Sequence, residues 1–268
     1  MIRLWRFGTA LTQRLGRDEV SAYAAALTYN LLFSLFPLAL AVTALVPAAV
    51  QRALLVPLAS VVTPEVVGLV RHTAAGGVPA AHPALAYAGL TGYLLGMSAA
   101  FRRLIDAFNH AYGFAPPLHR SPWETAVLSV VLALTAGALL VVAMAMATLG
   151  QHLTVVVLRP VGGPLGGFVV AAVRWGALLA LADVMLAVLY SVAPDRPCRF
   201  HWITPGAAAA IVAWLAISFG FSLYLAHFNA YNLLYGGVGA VILLLLYLYF
   251  LSYALLLGAE LNALLGIR

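Results

Sequence analysis

The chain has 268 residues, of which 64% are hydrophobic and only 8% charged, with a mean hydropathy of +1.02. Soluble domains carry about 25% charged residues, so a water-soluble globule is excluded and a polytopic membrane protein is expected. The net charge is +6, all 14 basic residues are Arg, and a single cysteine, Cys198, rules out an intrachain disulfide. Arg suits phosphate and carboxylate because its planar fork engages two oxygens at once. A GC-rich coding bias would also produce the preference.

Met1–Glu19 reads as an interfacial helix (1–19). Leu4, Phe7, Leu11 and Leu15 share one face, while Arg3, Arg6, Gln13 and Arg17 lie to one side. Asp18 and Glu19 interrupt any signal-type apolar core. Charge-poor windows then place six transmembrane helices at 21–46, 84–101, 122–150, 165–190, 203–227 and 236–265. Pro37 should kink the first of them. The segment 47–83 is an extracytoplasmic loop with a short helix announced by Thr63-Pro64-Glu65, ahead of Gly76-Gly77.

Ser121-Pro122-Trp123-Glu124 is a capping box with Pro at the first helical position, and Thr204-Pro205 is a shorter version. Gly162–Gly167 and Asn229–Tyr235 read as turns. Gly92 and Gly96 have the spacing that lets two helices approach closely. Residues 200–259 contain no Asp, Glu, Lys or Arg, which is too long for one crossing of ~20 residues and fits two.

Arg3, Arg6, Arg14, Arg17, Arg102, Arg103, Arg120, Arg196, Arg199 and Arg268 fall on one side of this topology, and Arg52, Arg71 and Arg159 on the other. The positive-inside rule puts both termini in the cytoplasm. The expected fold is therefore an all-α, six-helix integral membrane bundle.

Polar residues within the spans are the functional candidates, because at that depth they face protein or a water-filled cavity. Thr28, Tyr29 and Asn30 lie about two turns into the first span. Arg102, Asp106 and Asn109 share a helical face below the second, with Arg103 one step round. Glu260 and Asn262 end the sixth.

All three groups converge on the inner third of the bilayer. They describe either a cavity for an anionic head group or a polar lock, with Glu260 paired to Arg102 or Arg103 and Asp106 neutralising Arg102. Arg174 and Asp183 sit on one span, nine positions apart, and so point in opposite directions. They are candidates for an exit path and for ion coupling.

The seven His residues show no metal-binding spacing, and no nucleophile elbow, P-loop or dinucleotide fingerprint is present. No metal, cofactor, nucleotide or nucleic acid is expected, nor an enzymatic activity. Membrane lipids, anionic ones included, are the expected partners, and self-association stays open.

The stretch Leu27–Pro37 (LTYNLLFSLFP) resembles the opening of the YihY/BrkB family of bacterial inner-membrane proteins. So do Phe101–Gly113, Leu189–Asp195, and Trp202 with Pro205-Gly206-Ala207. The closing runs Tyr235–Ala240 and Gly258–Ala263 resemble it most specifically. The resemblance covers about residues 20–265, and the chain lacks the long charged C-terminal tail of many members.

The resemblance implies a role in envelope integrity, for some members serum resistance, and a proposed transport of lipids or lipid-linked glycans. Some members carry an old ribonuclease label. A nuclease needs clustered metal ligands or a basic soluble groove, and the sequence offers neither. A transporter or flippase for an anionic lipid or other amphiphile is the leading expectation. A non-transporting scaffold that supports the envelope is the alternative.

Overall fold

A computed structural model describes residues 2–45, 83–114, 120–158, 164–196, 198–227 and 231–267. Within them all regular secondary structure is α-helix. An N-terminal helix α1 (Ile2–Arg17) leads into α2 (Val20–Leu45), followed by α3 (Pro83–Ala111), α4 (Pro122–Leu158), α5 (Pro164–Val192), α6 (Pro205–His227) and α7 (Tyr231–Leu264). Helices α2 to α7 each contain a stretch long and apolar enough to cross a membrane. This is the architecture of a six-span bundle.

The side chains are arranged accordingly. Tyr87, Leu95, Phe168, Val212 and Phe219 point outward, forming an apolar exterior that a soluble protein would not tolerate. The main core lies toward one end, where α2, α4 and α6 begin and α3, α5 and α7 finish. It gathers Val20, Ala24, Leu27, Phe101, Leu104, Ile105, Phe108, Leu189, Tyr190, Leu256 and Ala259.

Without water to drive helices together, close backbone approach has to do so, and glycines permit it. A Cβ on Gly89 would meet the Ala41 nitrogen at 2.6 Å, and one on Gly92 would meet Pro37 Cβ at 2.9 Å. Gly96 abuts Ser34 at 3.0 Å. The Gly92/Gly96 spacing therefore seats α3 against the Pro37 region of α2. A second seam joins α6 to α7, where Gly206 and Gly258 each leave no room for a Cβ beside the other's carbonyl.

The capping box forms as its spacing predicts. Ser121 N–H donates to Glu124 Oε2 at 2.7 Å, and Glu124 N–H donates to Ser121 Oγ at 3.3 Å. Thr204 caps α6, its Oγ1 accepting from Ala207 N–H at 3.0 Å.

Several boundaries differ from the sequence reading. Helix α3 runs to Ala111, ten residues past the expected end, because Leu104, Ile105, Ala107 and Phe108 bury a continuous face below the arginines. Helix α7 starts at Tyr231, so Tyr231–Tyr235 is helical where a turn was expected. Helix α4 continues past residue 150 to Leu158. The expected loop helix within 47–83, Arg52, Arg71 and Arg159 lie outside the described residues.

Candidate functional site

The last two turns of α7 hold the polar centre of the core. Glu260 and Asn262 are both 0% exposed. Positions two apart on a helix point roughly 200° apart, so the two side chains address different neighbours.

Asn262 faces α6. Its Oδ1 accepts from Gly206 N–H at 2.8 Å and its Nδ2 donates to Thr204 Oγ1 at 3.1 Å. The first-turn N–H of α6, left over by helix geometry, is thereby satisfied from α7. The absent side chain of Gly206 makes the approach possible, since a Cβ there would overlap the Asn262 amide at 2.6 Å.

Glu260 faces α1, and neither of its carboxylate oxygens receives a hydrogen bond. The charged groups that act on it electrostatically are Asp18, Arg14 and Arg17. Asp18 in turn is gripped by Arg17, whose Nε and Nη2 donate at 2.8 and 3.1 Å to its two oxygens. That fork raises the Arg17 pKa further, chiefly through the hydrogen bond to Asp18. Arg102 and Arg103, the partners expected for Glu260, are not among the groups that act on it.

A third polar group ties α3, α4 and α5 together; the sequence reading named its Asn109 as a candidate, but not Asp195 or Arg120. Asn109 is buried, and its Oδ1 accepts from Asp195 N–H at 2.7 Å. Asp195 Oδ1 accepts from Arg120 N–H at 2.8 Å. The Arg120 guanidinium donates to the carbonyls of Val192 and Ala193 at 2.9 and 3.0 Å, closing the C-terminal end of α5 with a cation.

Tyr190 spans the remaining gap, donating to the Leu255 carbonyl of α7 at 2.8 Å. A cavity of about 10 Å³, room for one water, lies between Tyr112, Tyr190, Cys198, Thr204 and Asn262. Burial drives the Tyr112 phenol well above its ordinary pKa. Thr204 was legible in the sequence as the cap of α6, but its partner on α7 was not.

The remaining candidates scatter. Thr28 is buried, but its hydroxyl is spent on the Ala24 carbonyl of its own helix at 2.7 Å. Asn30 donates to Ala26 in the same manner at 2.9 Å. Tyr29 is 60% exposed and packs on Phe33 with ring centroids 4.5 Å apart, on the outer surface of the bundle. The three consecutive polar residues therefore do not line one cavity, since successive positions turn by roughly 100°.

Arg102 and Arg103 are exposed, Asp106 is half-buried and Asn109 is fully inside. The ion pair there is Arg103–Asp106 at 3.9 Å, three residues apart, in place of the expected Arg102–Asp106 pair. Arg174 lies by the Trp175 ring, 5.9 Å from its centroid, with its Nε buried and without an acceptor. Asp183 is half-buried and forms no ion pair among the described residues.

The family model described as Virulence factor BrkB matches residues 11–268, nearly the whole chain. The chain belongs to the BrkB family. A relative from Bacillus subtilis, named "Putative ribonuclease-like protein YfkH", is 29% identical over 181 residues, or 67% of this chain and 65% of that protein. UPF0761 membrane proteins of Xanthomonas campestris and Xanthomonas axonopodis are 34% identical over 85 residues, 32% of this chain. That match spans only 20% of the Xanthomonas proteins' own length. No solved structure matches the chain.

In this BrkB protein four of the stretches that carry the family resemblance meet at the site. Phe101–Gly113 contributes Asn109 and Tyr112. Leu189–Asp195 contributes Tyr190 and Asp195, Pro205-Gly206-Ala207 the first turn of α6, and Gly258–Ala263 both Glu260 and Asn262.

Proposed function

We propose that this BrkB-family protein moves an anionic lipid, lipid-linked glycan or similar amphiphile across the bacterial inner membrane, in support of envelope integrity. Both termini and the Arg-rich end face the cytoplasm. The observation that carries this reading is Glu260, buried with no donor on either oxygen. A purely structural lock would have given that carboxylate a guanidinium or an amide, because an unpaired buried charge is costly.

Around it the same end presents Arg17, Arg102, Arg103, Arg196 and Arg199 at the surface. These guanidiniums suit phosphate or carboxylate head groups. Membrane lipids are thus the partners, and Glu260 the group that responds as a head group is received or released. Self-association is compatible with this reading. Arg174 and Asp183, on α5 away from this end, are assigned to exit and ion coupling.

A non-transporting scaffold is the second reading. It is favoured by the closed ties of Asn109, Asp195, Arg120, Thr204 and Asn262, and by a cavity no larger than one water. Ribonuclease chemistry, suggested by the name of the Bacillus relative, is not part of the proposal, and we assign no enzymatic activity, metal, nucleotide or cofactor.

The test is reconstitution in liposomes with a fluorescent anionic lipid whose leaflet is read by quenching. Wild type should exchange label faster than empty vesicles. Glu260→Gln should insert and fold yet lose the exchange, and Arg102→Ala with Arg103→Ala should weaken it. Wild-type vesicles indistinguishable from empty ones, with or without a pH gradient, would hand the function to the scaffold reading.

A further inference from the structure

Residues 193–204 join two membrane-spanning stretches, Ala171–Val192 and Pro205–Tyr224, and so lie at the level of the lipid head groups. The side chains of this connection divide into two sets. Arg199 and His201 line the one-water cavity beside Tyr112 and Asn262. Phe200, Trp202 and Ile203 stand outward instead, Trp202 being 69% and Ile203 76% exposed. Phe200 and Trp202 meet edge to face with ring centroids 5.2 Å apart. Exposed aromatic rings at the end of a span belong in the head-group layer. His201 Nδ1–H donates to the Arg199 carbonyl at 2.8 Å, which holds the two cavity-lining residues in one turn.

The cavity itself is a set of donors. Tyr112 is 1% exposed, and no described residue accepts its hydroxyl hydrogen. Burial raises its pKa, so the phenol stays protonated and able to donate. Thr204 Oγ1 already accepts from Ala207 N–H at 3.0 Å and from Asn262 Nδ2 at 3.1 Å, which leaves its own hydrogen to give. Arg199 adds a guanidinium, and no carboxylate lines the cavity.

The negative ends of the neighbouring helices are already answered. Arg120 closes α5, and Ile267 N–H donates to the Asn262 carbonyl at 3.0 Å at the end of α7. Buried donors without acceptors are costly, so the cavity calls for an oxygen atom. A water would serve the two hydroxyls but would leave Arg199 without a counter-ion.

We propose that this recess binds the phosphate of an anionic phospholipid. One phosphate oxygen enters the cavity and accepts from Tyr112 and Thr204, while Arg199 and His201 engage the other oxygens at the mouth. Size decides this mode, because about 10 Å³ admits a single oxygen and not a whole head group. The acyl chains leave past Phe200, Trp202 and Ile203 into the bilayer. A zwitterionic head group is the poorer ligand, since its ammonium finds no carboxylate among the lining residues. The inference shares with the transport reading only the premise that lipids are partners, and it concerns occupancy rather than movement.

Cys198, the one cysteine of the chain, lines the same cavity and reports on it. The full chain in nanodiscs of zwitterionic phospholipid is treated with a small uncharged thiol reagent, with and without phosphatidylglycerol in the bilayer. The anionic lipid should slow Cys198 labelling of wild type several-fold. Arg199→Ala and Tyr112→Phe should lose that protection, each compared with itself in zwitterionic lipid. Arg196→Ala should keep it, because Arg196 lies over the Phe114 ring, 5.8 Å from its centroid, and does not line the cavity. Arg199 is exposed, so its variant folds and decides the matter even where Tyr112→Phe does not.

Unchanged labelling of wild type would mean that the cavity holds water only, and would overturn the proposal. Equal slowing in wild type, Arg196→Ala and Arg199→Ala would reduce the effect to surface charge and overturn it as well. Inorganic phosphate that protects in zwitterionic nanodiscs as well as the lipid does would make the occupant a free anion and remove the lipid. Protection of Cys198 without lipid exchange in liposomes would leave this site standing and remove transport.

Discussion

Glu260 and Asn262 stand two residues apart on the same helix, equally buried, in opposite chemical states. Asn262 spends its carbonyl and its amide on the first turn of α6. Glu260 finds no donor. A buried polar side chain with its hydrogen bonds made is a joint, costly to remove because partners on another helix are stranded. A buried acid without them is a group whose protonation or occupancy must change something. The α6–α7 side of this end is therefore architecture, and the α1 side is where state-dependent chemistry is to be sought.

The contrast breaks most visibly at Asn262. Asn262→Ala leaves the buried Gly206 N–H without its acceptor, at about 1–3 kcal/mol, and takes from Thr204 Oγ1 one of its two donors, at about 0.5–1.5 kcal/mol more. Thermal unfolding in detergent should show the largest loss of any single change discussed here. If Asn262→Ala proves as mild as Glu260→Gln, the two residues are not different in kind.

Arg120→Ala comes next, at about 1.5–3 kcal/mol, because charged donors leave the carbonyls at the end of α5, while the backbone N–H to Asp195 stays. The same unfolding assay reads it. Gly258→Ala pushes a methyl into the Tyr190 hydroxyl and the Gly206 carbonyl, and overpacking of this kind costs about 1–3 kcal/mol.

Glu260→Gln should change stability by less than about 1 kcal/mol, since it keeps the shape and Glu260 makes no hydrogen bond to lose. Its effect should fall on lipid exchange instead. Tyr29→Phe is the smallest, within about 0.5 kcal/mol and with unaltered lipid exchange, because the hydroxyl sits on an exposed ring. A strong defect there would return Tyr29 to the site.

Apolar periodicity and the absence of charge announced the six long helices, because a bilayer-spanning stretch must be apolar along its whole length. Caps at Ser121 and Thr204 were legible for the same local reason: their partners lie three residues away. What lay beyond reach was rotational. Thr28, Tyr29 and Asn30 are consecutive, yet only Thr28 is buried, and nothing in the local sequence says which face meets protein. Arg102 and Arg103 point to solvent although they adjoin the most buried turn of α3, since the heads of long side chains can leave a face their stems cover.

The depth of Glu260 and the need for a partner follow from sequence alone: a carboxylate that ends a long uncharged run must be received by something. Which residue receives it does not. Helix α1 is brought there by a left-handed corner at Glu19 and by its docking against α7, contacts separated by more than two hundred residues along the chain. Local sequence sets hydrophobic length and helix ends because those depend on neighbours within one or two turns. The pairing of charges across helices depends on rotation and register between elements, which only the packed bundle decides.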